Sequence, residues 1–331
     1  MFNGKSVFIS GGTGSFGQAF LRTLLARYQP KRVVIFSRDE LKQYEMQQVF
    51  TAPCMRYFLG DVRDAERLKQ AMRGIDFVVH AAALKHVPAA EYNPTECIRT
   101  NVGGAENIIN AAIENAVEKV IALSTDKAAN PINLYGATKL LSDKLFVAAN
   151  NITGAHKTRF SVVRYGNVVG SRGSVLPFFR KLIAGGAVDL PITDPRMTRF
   201  WIRLQDGVDF VLTSFQRMHG GELFVPKIPS ARIVDLASAM APHLPSRMVG
   251  IRPGEKLHEM MISRDDSGHA FEFAQHYVIA PSINFNVSSD YRIDGLGEVG
   301  RPVDECFEYV SDTNPHFLSL DELRQLDRDT A

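Results

Sequence analysis

The sequence is poor in cysteine and has no long hydrophobic segment. Its three cysteines, Cys54, Cys97 and Cys306, form no closely spaced pair, which argues against a disulfide framework or a zinc site and favours a reducing compartment, the cytoplasm. No apolar run approaches the ~20 residues that a bilayer-spanning helix needs, and the N-terminus lacks the pattern of a signal peptide. The formal net charge of +2 is too small to indicate a nucleic-acid groove or a membrane-surface patch. We therefore expect a cytoplasmic protein without metal, membrane or nucleic-acid partners.

Short apolar runs alternate with helical patterns in the first half of the chain. The runs are rich in Val, Ile and Phe and nearly continuous, which is typical of parallel strands buried on both faces. We expect strands at residues 6–10, 32–37, 55–61, 76–83, 119–125 and 160–170. The repeated order of strand, helix and strand predicts an α/β fold with a Rossmann-type doubly wound parallel sheet.

The pattern weakens after about Gly170. Helical patterns continue at residues 174–186 and 206–218, on either side of a proline-rich stretch, and no element can be assigned after about Ser282. We predict residues 1–170 as a dinucleotide-binding domain. We predict residues 171–331 as mainly a smaller α/β substrate-binding lobe, with segments that could return to the main domain.

A glycine-rich loop, within FISGGTGSFGQAF, follows the first predicted strand. Gly11 permits a tight turn, Gly14 lets the backbone approach a pyrophosphate, and Gly17 lets helix and strand pack closely. The helix N-terminus then offers free amides and a favourable dipole to the phosphates. A tight turn without a ligand could contain the same glycines, but their position in the first βα unit is the one that dinucleotide binding requires. We therefore predict that this loop binds a dinucleotide.

The end of the second predicted strand bears on the choice of dinucleotide. An NAD site usually places a carboxylate there, whereas this chain has Ser37 and Arg38. A hydroxyl and a guanidinium suit a 2′-phosphate, and Lys42 could add a second cation. The alternative is a solvated helix start, because Asp39 and Glu40 follow. We predict NADP.

Tyr135 and Lys139 are spaced to share one face of a helix, in the segment LSTDKAANPINLYGATKLLSDKL. A nearby ammonium, together with an oxidised nicotinamide, favours the phenolate of Tyr135 and makes it a usable general base. The amine can also hold the nicotinamide ribose. This spacing is common by chance, but here it follows a glycine loop and a strand that ends in Leu-Ser-Thr. Thr125 is then placed to share the substrate's hydrogen bond.

This order of motifs resembles the extended short-chain dehydrogenase/reductase superfamily, over roughly residues 5–261. The resemblance implies that a sugar carbinol gives its hydride to the cofactor while the tyrosine takes the hydroxyl proton.

Asp126 and Lys127, directly after the fifth predicted strand, indicate chemistry beyond redox. A 4-epimerase needs no further acid or base. A 4,6-dehydratase does, because one group must remove the proton on C5 of the 4-ketone and another must protonate the departing C6 hydroxyl. We expect burial to lower the pKa of Lys127, the base, and to raise the pKa of Asp126, the acid. The alternative is an ion pair in a surface turn, which is less expected at the carboxyl end of a strand.

Several longer blocks resemble the inverting UDP-N-acetylglucosamine 4,6-dehydratases of pseudaminic acid biosynthesis. The blocks are GGTGSFG, FSRDELK, HAAALKHVP, STDKAANPINLYGATK, VRYGNVVGSRGSV, PITDPRMTRFWI and GIRPGEKLHE. The resemblance implies NADP-dependent dehydration of UDP-N-acetylglucosamine with inversion at C5, and a homo-oligomer, either a dimer or a hexamer. The longer, membrane-anchored 4,6-dehydratases are similar too, but they often have methionine in place of Tyr135. A nucleotide-sugar 4-epimerase, a C5-retaining dehydratase and a non-catalytic dinucleotide sensor remain alternatives.

The resemblance also implies roles for individual residues. Those of the reaction are Thr125, Asp126, Lys127, Tyr135 and Lys139. Those of the cofactor site are Gly11, Thr13, Gly14, Ser15, Phe16, Gly17, Ser37, Arg38, Asp39, Glu40, Leu41, Lys42, Asp61, Val62, Ala81, Lys85, Tyr135, Lys139 and Val168. Those of the substrate site are Lys85, Asn167, Val175, Thr193, Arg199, Arg252 and Glu255. Lys85 and Arg252 could neutralise a pyrophosphate, although each alone would also suit a solvated surface.

Overall fold

The computed structural model describes residues 1–154, 156–171, 173–283 and 290–330. Arg172, within the motif VRYGNVVGSRGSV, lies outside the described residues. Residues 284–289, in the region where the sequence allowed no assignment, lie outside them too.

The predicted strands of the first half are present, and shorter strands follow. The strands are β1 (Ser6–Ser10), β2 (Arg32–Ser37), β3 (Met55–Leu59), β4 (Phe77–His80), β5 (Lys119–Thr125), β6 (Arg159–Tyr165), β7 (Asn167–Val168), β8 (Leu190–Ile192), β9 (Thr198–Ile202), β10 (Leu223–Pro226), β11 (Ser230–Arg232), β12 (Ser246–Met248), β13 (Met260–Ile262), β14 (Ala270–Glu272), β15 (His276–Ile279), β16 (Arg301–Pro302) and β17 (Tyr309–Val310). β1, β2 and β5 have the predicted bounds, whereas β3 and β4 end earlier than predicted.

The helices lie between these strands. They are α1 (Ser15–Arg27), α2 (Glu40–Val49), α3 (Ala65–Ala71), α4 (Val87–Tyr92), α5 (Pro94–Ile98), α6 (Gly104–Glu114), α7 (Leu134–Ala149), α8 (Val175–Ala184), α9 (Leu204–Arg217), α10 (Ile233–Met240) and α11 (Leu320–Asp329). A π-helical turn (Arg99–Gly103) joins α5 to α6, and 3-10 turns span Asp126–Ala128 and Arg264–His269. Asp39, Asp64 and Asn133 begin α2, α3 and α7 because their side chains accept hydrogen bonds from first-turn amides.

Ten of these strands form the central sheet, in the order β16-β14-β15-β10-β6-β5-β4-β1-β2-β3. The parallel strands of this sheet are, in spatial order, β3, β2, β1, β4, β5, β6 and β10. β15, β14 and β16 continue the sheet with antiparallel pairing. β1 lies between β2 and β4, which is the point where a doubly wound sheet changes direction and opens a crevice at the carboxyl ends of its strands. The predicted Rossmann-type α/β class is confirmed.

The predicted strand at residues 160–170 is wrong as a single element. Gly166 divides it into β6 in the central sheet and β7, which pairs with β9 in a separate three-stranded sheet. A Cβ atom on Gly166 would lie 2.5 Å from the Cβ of Phe200, so only glycine lets the chain pass this close to β9. The chain thereby carries the residues after Gly166 over the carboxyl edge of the central sheet.

The two largest of the three hydrophobic clusters among the described residues organise the packing. The larger one surrounds the central sheet, where β1 and β4 are buried along their whole length and Phe20, Ile108, Phe146 and Phe215 pack from the helices. This burial follows from the near-continuous apolar runs. β10, β14, β15 and β16, all from beyond residue 170, join that sheet, and the division into domains stays a prediction.

The smaller cluster lies under α8, α10 and α11. Its members include Leu176, Trp201, Leu236 and Leu323. Arg180 on α8 donates to Asp327 on α11 at 2.7 Å, which fastens the last helix to the helix that begins beside the cleft described below. Among the described residues, no helix has the length and apolar character to cross a bilayer.

Candidate active site

A cleft of about 730 Å³ opens at the carboxyl ends of the parallel strands. Its wall includes residues that directly follow β1, β2, β4 and β6, namely Gly11, Arg38, Ala81 and Gly166. This is the position at which α/β sheets bind ligands, and the volume suits a dinucleotide-sized or nucleotide-sugar ligand.

The glycine loop forms one end of the cleft. Gly11 has φ +65°, and a Cβ atom there would lie 2.8 Å from the amide nitrogen of Ala82. A Cβ atom on Gly17 would lie 2.4 Å from the carbonyl oxygen of Gly12. α1 begins after Gly14 with no side-chain cap and no acidic residue in its first turn. The loop is therefore a cradle that a larger side chain would fill, and it fits a pyrophosphate.

Ser37 and Asp39 shape the neighbouring part of the cleft. Ser37 Oγ lies 2.9 Å from Thr13 Oγ1 and accepts a hydrogen bond from the Asp39 amide at 3.2 Å. The Asp39 carboxylate accepts from the Lys42 amide at 3.0 Å and pairs with Lys42 Nζ at 2.7 Å. The hydrogen bonds from Lys42 lower the pKa of Asp39. The Asp39 carboxylate therefore caps α2 and pairs with a lysine of the same helix.

Arg38, in the cleft wall, pairs with Asp61, which lies outside that wall. Arg38 Nη1 lies 3.4 Å from Asp61 Oδ2, and the Asp61 carboxylate also accepts from Arg63 Nη2 at 2.7 Å. Burial acts to raise the pKa of Asp61, but the hydrogen bonds from Arg63 and the charge of Arg38 outweigh burial and lower it. The carboxylate of Asp61 thus anchors two guanidinium groups.

Most of the predicted cofactor residues line this cleft. They are Gly11, Thr13, Gly14, Ser15, Phe16, Gly17, Ser37, Arg38, Asp39, Lys42, Val62, Ala81, Lys85, Tyr135, Lys139 and Val168. Glu40, Leu41 and Asp61 are not part of its wall.

The predicted reaction residues come from two adjacent elements. Asp126 and Lys127 lie in the 3-10 turn after β5, and Tyr135 and Lys139 lie on α7. A Cβ atom on Gly136 would lie 2.2 Å from the carbonyl oxygen of Lys127. Glycine at this position therefore lets the first turn of α7 pack directly on the 3-10 turn, which brings the four side chains to one side of the cleft.

Tyr135 and Lys139 are both buried. Lys139 Nζ donates to the carbonyl oxygen of Leu123 at 2.7 Å, and burial lowers the pKa of Lys139. Burial raises the pKa of Tyr135 to about 12, although Lys127 and a hydrogen bond with Thr125 act in the opposite direction. The Lys127 ammonium thus favours the phenolate, but the cost of burying the anion is larger for these residues taken alone, and the joint effect of an ammonium and an oxidised nicotinamide stays a prediction.

Lys127 lies between two buried carboxylates. Its Nζ is 3.1 Å from Asp126 Oδ1 and 3.0 Å from Glu259 Oε1. Thr125 Oγ1 donates to the same Asp126 oxygen at 2.8 Å, and Asp126 Oδ2 is buried with no hydrogen-bond partner among the described residues. The Lys127 side chain is 24% exposed, whereas those of Asp126 and Glu259 are 1% and 2% exposed. The turn therefore presents an acid and an amine in direct contact.

The pKa shifts of Asp126 and Lys127 confirm the direction predicted for Asp126 and contradict the one predicted for Lys127. Burial raises the pKa of Asp126, as predicted. Burial also acts to lower the pKa of Lys127, but the charges of Asp126 and Glu259 outweigh it, so the pKa is raised rather than lowered. The second carboxylate, Glu259, was not predicted from the sequence. Glu259 ends the block GIRPGEKLHE, but no spacing in the sequence relates it to Lys127.

The predicted substrate residues divide into two groups. Lys85 and Asn167 line the cleft. Asn167 Oδ1 and Ser174 Oγ, also in its wall, are buried with no hydrogen-bond partner among the described residues, so they can bind a ligand. The residues outside the cleft wall are Val175, Thr193, Arg199, Arg252 and Glu255.

Arg199 binds other groups of the protein and does not line the cleft. It is buried, donates to the carbonyl oxygens of Thr198 at 2.7 Å and Lys256 at 3.0 Å, and lies 3.6 Å from Glu259. Arg252 and Glu255 lie on the loop before β13. This loop reaches the site through Gly254, whose carbonyl accepts from Asn133 Nδ2 at 2.8 Å. Within the described residues, no three His, Cys, Asp or Glu side chains are arranged to hold a metal ion.

Comparisons with known proteins match the chain to one family and to several relatives. Residues 7–281 match the family described as polysaccharide biosynthesis protein. The chain is 64% identical to a UDP-N-acetylglucosamine 4,6-dehydratase (inverting) of Campylobacter jejuni subsp. jejuni serotype O:2, over 98% of both chains. It is 42% identical to a UDP-glucose 4-epimerase of Rickettsia conorii, over 98% of this chain and 96% of that protein. The X-ray structure of Pen from Bacillus thuringiensis superimposes with a TM-score of 0.90 at 36% identity, covering 99% of this chain and 98% of that one.

Proposed function

The chain belongs to the polysaccharide biosynthesis protein family and to the UDP-N-acetylglucosamine 4,6-dehydratases (inverting), and from this membership we propose that it is a hydro-lyase that removes water across C5 and C6 of UDP-N-acetylglucosamine. The product would be UDP-2-acetamido-2,6-dideoxy-β-L-arabino-hex-4-ulose. The observation that carries the proposal is the contact between Asp126 and Lys127 beside Tyr135 in the cleft. A redox enzyme that only epimerises C4 has no use for this acid and amine.

Tyr135 serves the redox part of the reaction. Its phenolate takes the proton from the C4 hydroxyl, with Thr125 hydrogen-bonded beside it. Because burial raises the pKa of Tyr135 to about 12, forming the phenolate requires the positive charges of Lys127 and an oxidised nicotinamide. When bound, the dinucleotide supplies a hydride acceptor and, once reduced, a hydride donor. Lys139, held by its bond to Leu123, orients the nicotinamide ribose.

Asp126 and Lys127 serve the elimination. The neutral amine of Lys127 takes the C5 proton, the C5–H electron pair becomes the C5–C6 double bond, and the C6–O bond breaks as Asp126 protonates the departing oxygen to give water. The pair ends as ammonium and carboxylate, and the C5–C6 double bond would then take at C6 the hydride that the bound dinucleotide supplies and at C5 a solvent proton, which gives the 6-deoxy product. Before each elimination, transfer of one proton over the 3.1 Å between Lys127 Nζ and Asp126 Oδ1 converts the resting ammonium and carboxylate into the amine and the acid. This exchange lets Lys127 act as a base although its pKa is raised, because the two groups share one proton.

We propose NADP as the cofactor. Arg38 and Lys42 both line the mouth of the cleft near Ser37, and two cations suit a 2′-phosphate. Asp39, the carboxylate that could otherwise hold the ribose hydroxyls of NAD, is occupied by Lys42 and the first turn of α2.

The wider context of the reaction is part of the same proposal. The product would be the first intermediate of pseudaminic acid biosynthesis, used on flagellin or another surface glycan, and the reaction would take place in the cytoplasm. The three cysteines are free thiols, in keeping with a reducing compartment. We also propose a homo-oligomer, a dimer or a hexamer. Tyr92, Ile98 and Leu141, on the helices next to Tyr135, are exposed apolar side chains that a second subunit could cover.

The test is incubation with NADP and UDP-N-acetylglucosamine in deuterium oxide. We expect a product that has lost one water, carries deuterium at C5 and has the inverted configuration there by NMR. Lys127→Ala should still bind NADP but should not exchange the C5 hydrogen. A product of unchanged mass would instead support a 4-epimerase, which the Rickettsia conorii relative keeps as the second candidate.

A further inference from the structure

Glu259 contacts the elimination site from a distant part of the chain. It directly precedes β13, and its side chain is 2% exposed. One carboxylate oxygen lies 3.0 Å from Lys127 Nζ and 3.6 Å from Arg199 Nε, and the other oxygen is buried with no hydrogen-bond partner among the described residues. The Glu259 backbone is fixed as well, because its amide donates to Ser311 Oγ at 2.9 Å.

The charges around Lys127 and Glu259 come from several elements. Asp126 faces Lys127 from the same turn, and the phenol of Tyr135 faces it from α7. Arg199 faces Glu259 from β9. Lys256, on the loop before β13, acts on Glu259 and is held by its bond to the carbonyl oxygen of Ala129 at 2.6 Å. Arg164, on β6, acts on Lys256 in turn.

Glu259 is not needed to hold Arg199 in place. Arg199 already donates to backbone carbonyl groups, so it does not depend on Glu259 for its position. Burying a carboxylate is costly unless it is paired, and the shorter of the two ion pairs of Glu259 is the one to Lys127. The main ion-pair partner of the Glu259 carboxylate is therefore Lys127, the base of the elimination.

We propose that Glu259 is a positioning residue of the elimination site, whose carboxylate holds Lys127 Nζ within reach of Asp126 and sets the pH at which Asp126 and Lys127 together keep only the one shared proton that the elimination uses. This inference rests on the proposed function. Two carboxylates on either side of one ammonium restrain its direction more than one does. The negative charge of Glu259 also favours the ammonium over the amine. The position of Lys127 and its proton affinity thus depend on a residue that does not touch the sugar.

The test compares the pH dependence of kcat for wild type, Glu259→Gln and Glu259→Asp. The amide of Glu259→Gln keeps an oxygen near Nζ but removes the charge, so the acidic limb, where activity rises with pH, should move to lower pH by about one unit or more. Glu259→Asp keeps the charge but shortens the side chain. It should keep the limb near its wild-type position, with a lower kcat and an unchanged KM.

Glu222→Gln is a matched control. Glu222 is equally buried, but it accepts from Ser161 Oγ at 2.7 Å and from the Gly220 amide at 2.8 Å, away from the cleft wall. This variant should lose thermal stability and keep the wild-type pH profile. If Glu259→Gln also kept that profile, Glu259 would have only a structural role and the inference would be overturned.

A measurement on the wild type covers the case in which Glu259→Gln does not fold. In protein with ¹³C-labelled lysine, the Lys127 signal can be assigned by its loss in Lys127→Arg. We expect Lys127 to remain an ammonium at about pH 10, near the ordinary lysine pKa. A free amine already near pH 8 would overturn the inference. If the wild type forms no dehydrated product, the proposed function fails. If it does and the limb does not move in Glu259→Gln, only the role of Glu259 fails.

Discussion

Replacing Lys127 by methionine tests the charge balance of the site without relying on activity. The variant keeps the length of the side chain but removes the positive charge between Asp126 and Glu259. Glu259 keeps Arg199 at 3.6 Å, so Asp126 is the carboxylate left buried without a cation. Removing one partner of a buried ion pair costs about 3–5 kcal/mol of unfolding free energy, and the 24% exposure of Lys127 points to the lower end, about 3 kcal/mol.

The loss of stability in Lys127→Met should depend on pH. Burial already raises the pKa of Asp126 above its ordinary value of 3.8, and removing the ammonium raises it further. The folded state of the variant then binds a proton that the unfolded state releases, so its stability falls as pH increases through the folded-state pKa. The stability gap to the wild type should be small near about pH 4 and widest near about pH 8.

Urea unfolding, followed by the fluorescence of Trp201, measures this gap. Trp201 is the only tryptophan and is 1% exposed, so unfolding changes its environment. The matched control is Lys5→Met. Lys5 also lies between two carboxylates, Asp76 and Glu118, but at the surface, where solvent screens the charges and the loss should stay within about 1 kcal/mol. A stability gap for Lys127→Met that is equally small, or the same at both ends of the pH range, would contradict the role of Lys127 as the cation that compensates buried Asp126.

Three further substitutions test the rest of the site. Tyr135→Phe should lower kcat by about 10²–10⁴-fold, since it removes a general base, while the Kd for NADP measured by calorimetry stays unchanged; an active variant would contradict the role of the phenol. Arg38→Ala should weaken NADP binding by about tenfold or more and leave NAD binding as it is, and equal effects on both would argue against a 2′-phosphate contact. Gly17→Ala should abolish dinucleotide binding because its Cβ would lie 2.4 Å from the Gly12 carbonyl oxygen. Gly103→Ala, with no atom within 4 Å of the added Cβ, is its control and should bind normally.

Much of the fold could be predicted because the central strands are buried on both faces. Their apolar runs are nearly continuous, so β1, β2 and β5 were found with the correct bounds. The break between β6 and β7 could not be found in this way. It depends on the approach of Gly166 to Phe200, which lies in a strand of a different sheet. The strands β14, β15 and β16 are short and extend the sheet from far along the chain, so the local pattern carries little information about them.

The reaction residues could be grouped from the sequence for a simple physical reason. Asp126, Lys127, Tyr135 and Lys139 lie on consecutive elements that must meet at the end of β5. The chemistry of Lys127 could not be predicted, because it depends on Glu259, which arrives from β13. A sequence shows that an amine is buried, but it does not show how many carboxylates surround it. For this reason the predicted direction of the pKa shift was wrong for Lys127, whereas the direction predicted for Asp126 was correct.

The ion pair between Lys127 and Glu259 limits how this site can be altered by protein engineering. A library that varies only the 3-10 turn would leave the carboxylate at position 259 with Arg199, 3.6 Å away, as its ion-pair partner, so a neutral or acidic substitute for Lys127 would be selected against for its lower stability rather than for its chemistry. Stable variants with new chemistry should appear only when positions 127 and 259 are varied together. The two residues should therefore change together in evolution, although they are far apart in the gene.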